Sequence, residues 1–391
     1  MHYVTSVWPV RVAAVVLAVP LVACSSPGQA PAAPTSPMPG SPAPQVTDTV
    51  ATGLDTPWGL AFLPDGAALV TERDSGRLLS IGTDRQVREV ATIDDVVARG
   101  ESGLLGVAVS PTFDTDRFVF LYVTTSSDNR IVRAAYDGAT LSDHQVIVEG
   151  IPAARVHDGG RLQFGPDGML YAATGEAGTP PLAQDPSSLG GKILRMTMDG
   201  ESAPGNPDPN SPVYSLGHRN VQGLAFDDEG RLWASEFGQN HVDELNEIVA
   251  DGNYGWPEVE GTRATGSAGG TGSAEGSGSA EGSARDDQFI DPVVTWPVSQ
   301  ASPSGIAYED GNLWMASLRG ERLWRIGIEE LDTTEFFTGE YGRLRTVVAA
   351  PDGSLWLTTS NRDGRGEPAG DDDRILRIET PSTETPSTEN P

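Results

Sequence analysis

Three short segments bring together side chains able to move protons or hold an anion. The first is Val156-His157-Asp158-Gly159-Gly160-Arg161. An imidazole titrates nearest neutral pH and suits a general base, and paired glycines let it approach a ligand closely. Downstream, Gly175-Glu176-Ala177-Gly178 supplies a carboxylate, Glu176, that can orient the ring. Taken alone, a histidine in such a setting is more often structural than catalytic. The second segment is Leu216-Gly217-His218-Arg219-Asn220-Val221-Gln222-Gly223, in which a fork-shaped donor, Arg219, stands beside the amide of Asn220. That pairing suits carboxylate or carbonyl oxygens. The third runs from Glu236 through Gly238, Gln239 and His241 to Glu244 and Leu245. Its oxygens suit a hard cation such as Ca²⁺, which takes 6–8 oxygen ligands, although no EF-hand spacing is present.

Further arginines stand in Ser317-Leu318-Arg319-Gly320 and Tyr341-Gly342-Arg343-Leu344-Arg345. In a strand Arg343 and Arg345 point to the same face. Each of Arg219, Arg319, Arg343 and Arg345 read singly is a solvated surface residue. Read as a set, they make a positive pocket in a body of formal net charge 26 − 55 = −29. That net charge excludes nucleic acid as a partner, because phosphate binding needs clustered positive charge over a broad surface. His144 lies in a polar stretch and reads as a surface residue.

The elements that must position these residues announce themselves by repetition. An apolar alternating run meets an Asp-Gly-type turn and a second alternating run follows, as in Gly59-Leu60-Ala61-Phe62-Leu63-Pro64-Asp65-Gly66 before Ala68-Leu69-Val70-Thr71. Equivalent phrases begin near Gly106, Leu162, Gly223, Gly305 and Val347. Period-2 alternation across such a turn is a hairpin signal, and six hairpin-based copies predict an all-β six-bladed β-propeller. Loops at blade edges line the central channel of such a fold, and His157, His218 and His241 each flank a repeated phrase.

Around this body the composition changes. Arg11 followed by the apolar run Val12 to Ala23 is too short to span a bilayer and reads as a secretory leader over residues 1–23. Leu21-Val22-Ala23-Cys24 has the form of a lipobox, with Cys24, the sole cysteine, as the lipidated residue. Residues 24–45 read as a Pro/Ala/Ser-rich tether, 46–378 as the propeller, and 379–391 as a disordered tail. A Gly/Ser/Ala/Glu insertion over about 263–286 is expected as a loop after the fourth blade.

The chain resembles the soluble PQQ-dependent aldose sugar dehydrogenases, or glucose/sorbosone dehydrogenases. The likeness covers about Gly53 to Ile378. Gly217-His218-Arg219-Asn220-Val221-Gln222-Gly223, Asp243-Glu244-Leu245-Asn246 and Gly252-Asn253-Tyr254-Gly255-Trp256-Pro257 carry it, supported by Gly103-Leu104-Leu105-Gly106 and Gly159-Gly160-Arg161-Leu162. The resemblance implies that His157 takes the C1 hydroxyl proton of a sugar, that Glu176 orients it, and that Arg219 polarises the quinone. It implies that Asn220, Arg319, Arg343 and Arg345 hold the cofactor. One Ca²⁺ would sit on the carbonyls of Gly238 and Gln239, and a second at Glu244 and the Tyr254 backbone. Electrons would leave to an external acceptor. Three positions depart from the family pattern: Glu101 stands near the site where a neutral amide is common, Arg319 where lysine is usual, and Gln239 where proline is frequent. Two expectations follow. One is a lipid-anchored, extracytoplasmic quinoprotein oxidising an aldose to its lactone. The alternative is a propeller lipoprotein serving as a non-catalytic cell-envelope binding module, which Glu101 favours. A metal-dependent lactonase would need carboxylates and an asparagine converging on a central metal, and no such spacing is present.

Overall fold

The computed structural model describes residues 43–263 and 288–381. The expected leader, Cys24, residues 25–42 of the tether, nearly all of the insertion and residues 382–391 lie outside the described residues. Twenty-four strands form six four-stranded antiparallel sheets, the blades of a propeller. Blade 1 comprises β2 (Pro57–Phe62), β3 (Ala68–Glu72), β4 (Arg77–Ile81) and β5 (Val87–Thr92). Blade 2 comprises β6 (Leu104–Val109), β7 (Phe118–Thr124), β8 (Asn129–Tyr136) and β9 (Leu141–Ile151). Blade 3 comprises β10 (Leu162–Phe164), β11 (Leu170–Ala173), β12 (Lys192–Met196) and β13 (Val213–Leu216). Blade 4 comprises β14 (Val221–Phe226), β15 (Leu232–Glu236), β16 (Val242–Ile248) and β17 (Val294–Pro297). Blade 5 comprises β18 (Pro303–Glu309), β19 (Asn312–Ser317), β20 (Arg322–Gly327) and β21 (Thr333–Phe336).

Blade 6 is built from both ends of the described chain. Its strands β22 (Leu344–Ala349), β23 (Leu355–Thr359) and β24 (Ile375–Glu379) are completed by β1 (Gln45–Ala51), with Gln45 opposite Glu379 and Ala51 opposite Ile375. The ring therefore begins at Gln45 and ends at Glu379, one residue beyond each expected bound. The insertion is also relocated: it falls between β16 and β17, inside blade 4 rather than after it.

Alternation gives each inner strand two apolar faces, and each face packs on a neighbouring blade. Six clusters result, one per blade–blade contact. Between blades 4 and 5, for example, Trp233, Leu245 and Trp296 meet Ile306, Met315 and Trp324. Between blades 6 and 1, Val50 and Ile375 meet Leu60 and Val70. This burial is the main favourable term holding blade to blade.

The innermost strands carry a recurring irregularity. Their pairing shifts register between Pro57 and Leu60, Leu104 and Val107, Val221 and Gly223, Pro303 and Ile306, and Leu344 and Val347. Each shift is a β-bulge near the strand start, and bulges of this kind re-aim side chains beside functional sites.

Candidate active site

All the singled-out groups of blades 2, 3, 4 and 6 lie at one end of the ring, where innermost strands start and second strands finish. His157 precedes β10, Glu176 follows β11, Arg219 and Asn220 precede β14, and Arg345 lies in the bulge of β22. His157 and Glu176, nineteen residues apart, meet through Nδ1 and Oε1 at 2.6 Å. The ring stays partly accessible while the Glu176 carboxylate is buried, with 16 % and 1 % of the side chains exposed. A further bond locks the two segments together, Ala177 N donating to His157 O at 3.0 Å, and Glu176 N ties them to the Arg219 segment by donating to Arg219 O at 2.9 Å. Gly175 is required here, because a Cβ would overlap the His157 carbonyl. His157 itself has φ +59°, a conformation that costs free energy in a non-glycine residue and marks functional sites.

A ring that donates from Nδ1 to Glu176 keeps its acceptor lone pair on Nε2. The second oxygen of Glu176, Oε2, is buried without a partner, as is Oδ2 of the adjacent Asp158. Asp158 accepts from Asn129 Nδ2 and Ala154 N, both at 3.0 Å. Burial pushes its carboxyl up to about 7 against those bonds, and the Glu101 charge adds to the rise.

Arg219 is held from below and above. Its backbone N–H donates to Glu236 Oε1, whose other oxygen receives His218 Nδ1 at 2.8 Å. Its guanidinium lies 5.4 Å from the Trp256 ring and donates from Nη1 to Phe237 O at 3.3 Å. Arg219 Nε is buried with no partner. Burial depresses this guanidinium below its ordinary value, with Glu176, Glu236 and Glu101 opposing. Asn220 Oδ1 accepts Gly159 N at 3.0 Å, and its amide donates to Glu101 Oε2 at 3.4 Å.

Arg343 and Arg345 face one carboxylate, as their spacing predicts. Asp363 Oδ2 receives Arg343 at 3.0 and 2.8 Å and lies 3.8 Å from Arg345. Burial raises the Asp363 carboxyl, but Arg345 and Arg343 outweigh it and hold it below its ordinary value. Arg345 also donates to Gln222 Oε1 at 2.9 Å, leaving Nε buried and unpartnered. Burial, with Arg73 adding, pushes it down to about 9. Arg319 stands apart from this group. It is exposed on the β19–β20 turn and makes no hydrogen bond or ion pair among the described residues, although its neighbour Leu318 lines the pocket mouth.

The expected metal positions behave differently from one another. Backbone N–H groups of Gln239, Asn240, His241 and Val242 converge on Glu260 Oε1 at 2.7–3.4 Å. Gly238 N donates to Asp243 at 2.9 Å. Glu244 is buried opposite Glu236 and accepts from Gly261 N at 2.7 Å and Asn246 at 3.2 Å. The Tyr254 ring stacks on His218 at 4.7 Å. Among the described residues, no group of three or more His, Cys, Asp or Glu is placed to hold a metal ion.

Several members of the site escaped sequence reasoning. Arg73, Asp363 and Arg365 line the pocket mouth from ordinary-looking polar turns. Arg161 lies over the Trp58 indole at 4.4 Å and donates to Gln222 O at 2.9 Å. The signal for Arg161 was present only in Gly159-Gly160-Arg161-Leu162, quoted as support for the resemblance, and Trp58 had none.

A family model described as Glucose / Sorbosone dehydrogenase matches residues 54–376. The PQQ-bound aldose sugar dehydrogenase of Streptomyces coelicolor is similar in structure, with a TM-score of 0.78 and 51 % identity over 87 % of this chain and 99 % of that one. An uncharacterized protein of Synechocystis is 33 % identical over 84 % of this chain and 85 % of its own length. An aldose sugar dehydrogenase of Escherichia coli is 29 % identical over 80 % and 89 %. With the matched span running from blade 1 into the last strand of blade 6, this propeller belongs to the glucose/sorbosone dehydrogenase family.

Proposed function

We propose that this enzyme oxidises an aldose at C1 to the lactone, with pyrroloquinoline quinone as its bound cofactor and an external acceptor for the electrons. The observation that carries the reading is the 2.6 Å contact of His157 with buried Glu176, set beside guanidinium groups whose Nε donors have no partner. The donor set fits a planar polycarboxylate. Arg219 and Arg345 present unsatisfied, desolvated N–H groups, and unpaired buried donors of this kind are costly unless a ligand completes them. PQQ, when bound, supplies the two-electron acceptor for the hydride leaving C1.

The chain's own residues do the rest. His157 Nε2 accepts the C1 hydroxyl proton, and Glu176 holds the ring in the required tautomer and stabilises the imidazolium. Arg219 places fixed positive charge where oxygen charge develops, with the Trp256 ring 5.4 Å from its guanidinium. Asn220, Arg343 and Arg345 bind the anion, whereas Arg319, exposed and apart from them, is not needed for it. Ca²⁺ on the carbonyls of Gly238 and Gln239, and a second ion at Glu244 and the Tyr254 backbone, belong to the same proposal. The support for the second ion is the buried carboxylate of Glu244 beside that of Glu236.

Calorimetric titration of PQQ, with and without Ca²⁺, tests the reading. One-to-one binding that depends on Ca²⁺ is expected. His157→Ala should keep that binding and lose roughly 10²–10⁴-fold in kcat, whereas Arg219→Ala should damage both. A folded protein that binds no PQQ would retire the proposal. Export and a lipid anchor at Cys24 rest on the lipobox-like Leu21-Val22-Ala23-Cys24. Cys24→Ser should move the protein from the membrane to the soluble fraction, and unchanged partition would refute the anchor.

A further inference from the structure

The pocket mouth is lined by Arg73, Glu101, Gln222, Arg345, Asp363 and Arg365. Two of its charges are settled by neighbours: Arg73 pairs with Asp74 at 2.7 Å, and Asp363 with Arg343 at 2.8 Å. Glu101 is different. Its Oε2 is pinned by His157 N at 2.9 Å and by the Asn220 amide, so the carboxylate cannot swing out of the pocket. Its Oε1 receives both terminal nitrogens of Arg365 at 3.3 Å. Arg365 reaches it from the loop after β23, on the other side of the mouth, and is largely exposed while Glu101 is largely covered.

A fixed carboxylate beside an anion site opposes anion binding, and at short range in a partly buried setting the effect is large. We infer that Arg365 is the counter-ion that neutralises Glu101 and so lets an anionic cofactor occupy the pocket beside it. This rests on the PQQ reading above. Arg365 is a positioning residue in this role: it acts through Glu101, not by touching the cofactor. With Arg365 more than half exposed, the pair contributes little to folding, so its loss registers in binding.

A double-mutant cycle read by PQQ calorimetry decides the matter, with urea midpoints as the check on folding. Arg365→Ala should weaken PQQ binding by roughly tenfold or more in the native background and leave the urea midpoint unchanged. Glu101→Gln, which removes the charge and keeps one oxygen for His157 N while its amide nitrogen takes the position facing Arg365, should bind as tightly as the native chain or more tightly. In the Glu101→Gln background, Arg365→Ala should cost less than about threefold. An Arg365→Ala loss of equal size in both backgrounds would overturn the inference, because Arg365 would then contact the anion itself. No loss in either background, or weaker binding by Glu101→Gln alone, would overturn it as well. The native protein is the arm that separates the two claims. If it binds PQQ and the cycle is additive, only the counter-ion role fails; if it is folded and binds none, the cofactor reading fails and takes this inference with it.

Discussion

At His157, the neighbour in sequence is as telling as the partner in space. Asp158 is 1 % exposed, has one oxygen with no partner, and is pushed up to about 7 by burial. The folded state thus favours the neutral acid, whereas the unfolded chain ionises near the ordinary carboxyl value of 3.8. Between those two values the native state binds more protons than the unfolded one. Stability from this group is therefore fully present below about 4 and is lost as pH rises toward 7, with no further change above. Asp158→Asn should flatten that part of a melting-temperature profile measured from pH 4 to 8. A profile as steep as the native one would show that another group titrates there. His157, Glu176, Arg219 and Asn220 were legible because each sits in a short phrase rich in glycine beside a blade repeat. Arg365 was not. Nothing in Asn361-Arg362-Asp363-Gly364-Arg365 separates it from a solvated turn, and its meaning comes from Glu101, 264 residues away in sequence.

The element that governs the channel is the start of each innermost strand. The position opening the repeated phrase is glycine in four blades, Gly59, Gly106, Gly223 and Gly305, and Arg161 or Thr346 in the other two. A Cβ at Gly59 would stand 2.7 Å from Leu105 O, and one at Gly223 would overlap Ser304 O. Neighbouring blades touch backbone to backbone there. The two exceptions find each other: Arg161 donates to Thr346 Oγ1 at 3.1 Å and to Gln222 O at 2.9 Å, across the channel. Gly223→Ala should therefore cost about 1–3 kcal/mol in urea unfolding, as overpacking does. Gly370→Ala, where a Cβ meets nothing within 4 Å, should be close to neutral. Equal effects would mean that the close approach is relaxed at little cost. The two hairpin strands of each blade were readable from alternation and the Asp-Gly turn. The outermost strands were not, since β5 is exposed at four of its six residues and carries no clear alternation. The bulges are equally silent, being one extra residue in an otherwise regular run.

For the molecule as a whole, closure is the decisive fact. Six blades packed in a ring leave no free blade face, but only because β1 completes blade 6 and adds Val50 and Ala51 to the contact with blade 1. Removing residues through Ala51 should lower the melting temperature sharply and broaden the transition in calorimetry. A sharp transition at the native temperature would show that the closing strand is dispensable. Sequence reasoning placed the six-bladed propeller, yet it did not foresee which strand closes the ring. The first strand carries no turn or hairpin partner nearby, and its partner lies more than three hundred residues on.

The direction of that closing strand also sets how the ring bears load. Because β1 and β24 run antiparallel with Gln45 opposite Glu379, the two ends of the fold leave from the same end of one strand pair. Tension between them falls on that first pair and peels the strands bond by bond, like a zipper opened from its tab. Force drawn instead from residue 45 against the rest of the ring must slide β1 along its full length and break its bonds together. The same seam is thus soft to a pull between the termini and stiff to a pull along the strand, a mechanical asymmetry that follows from register alone.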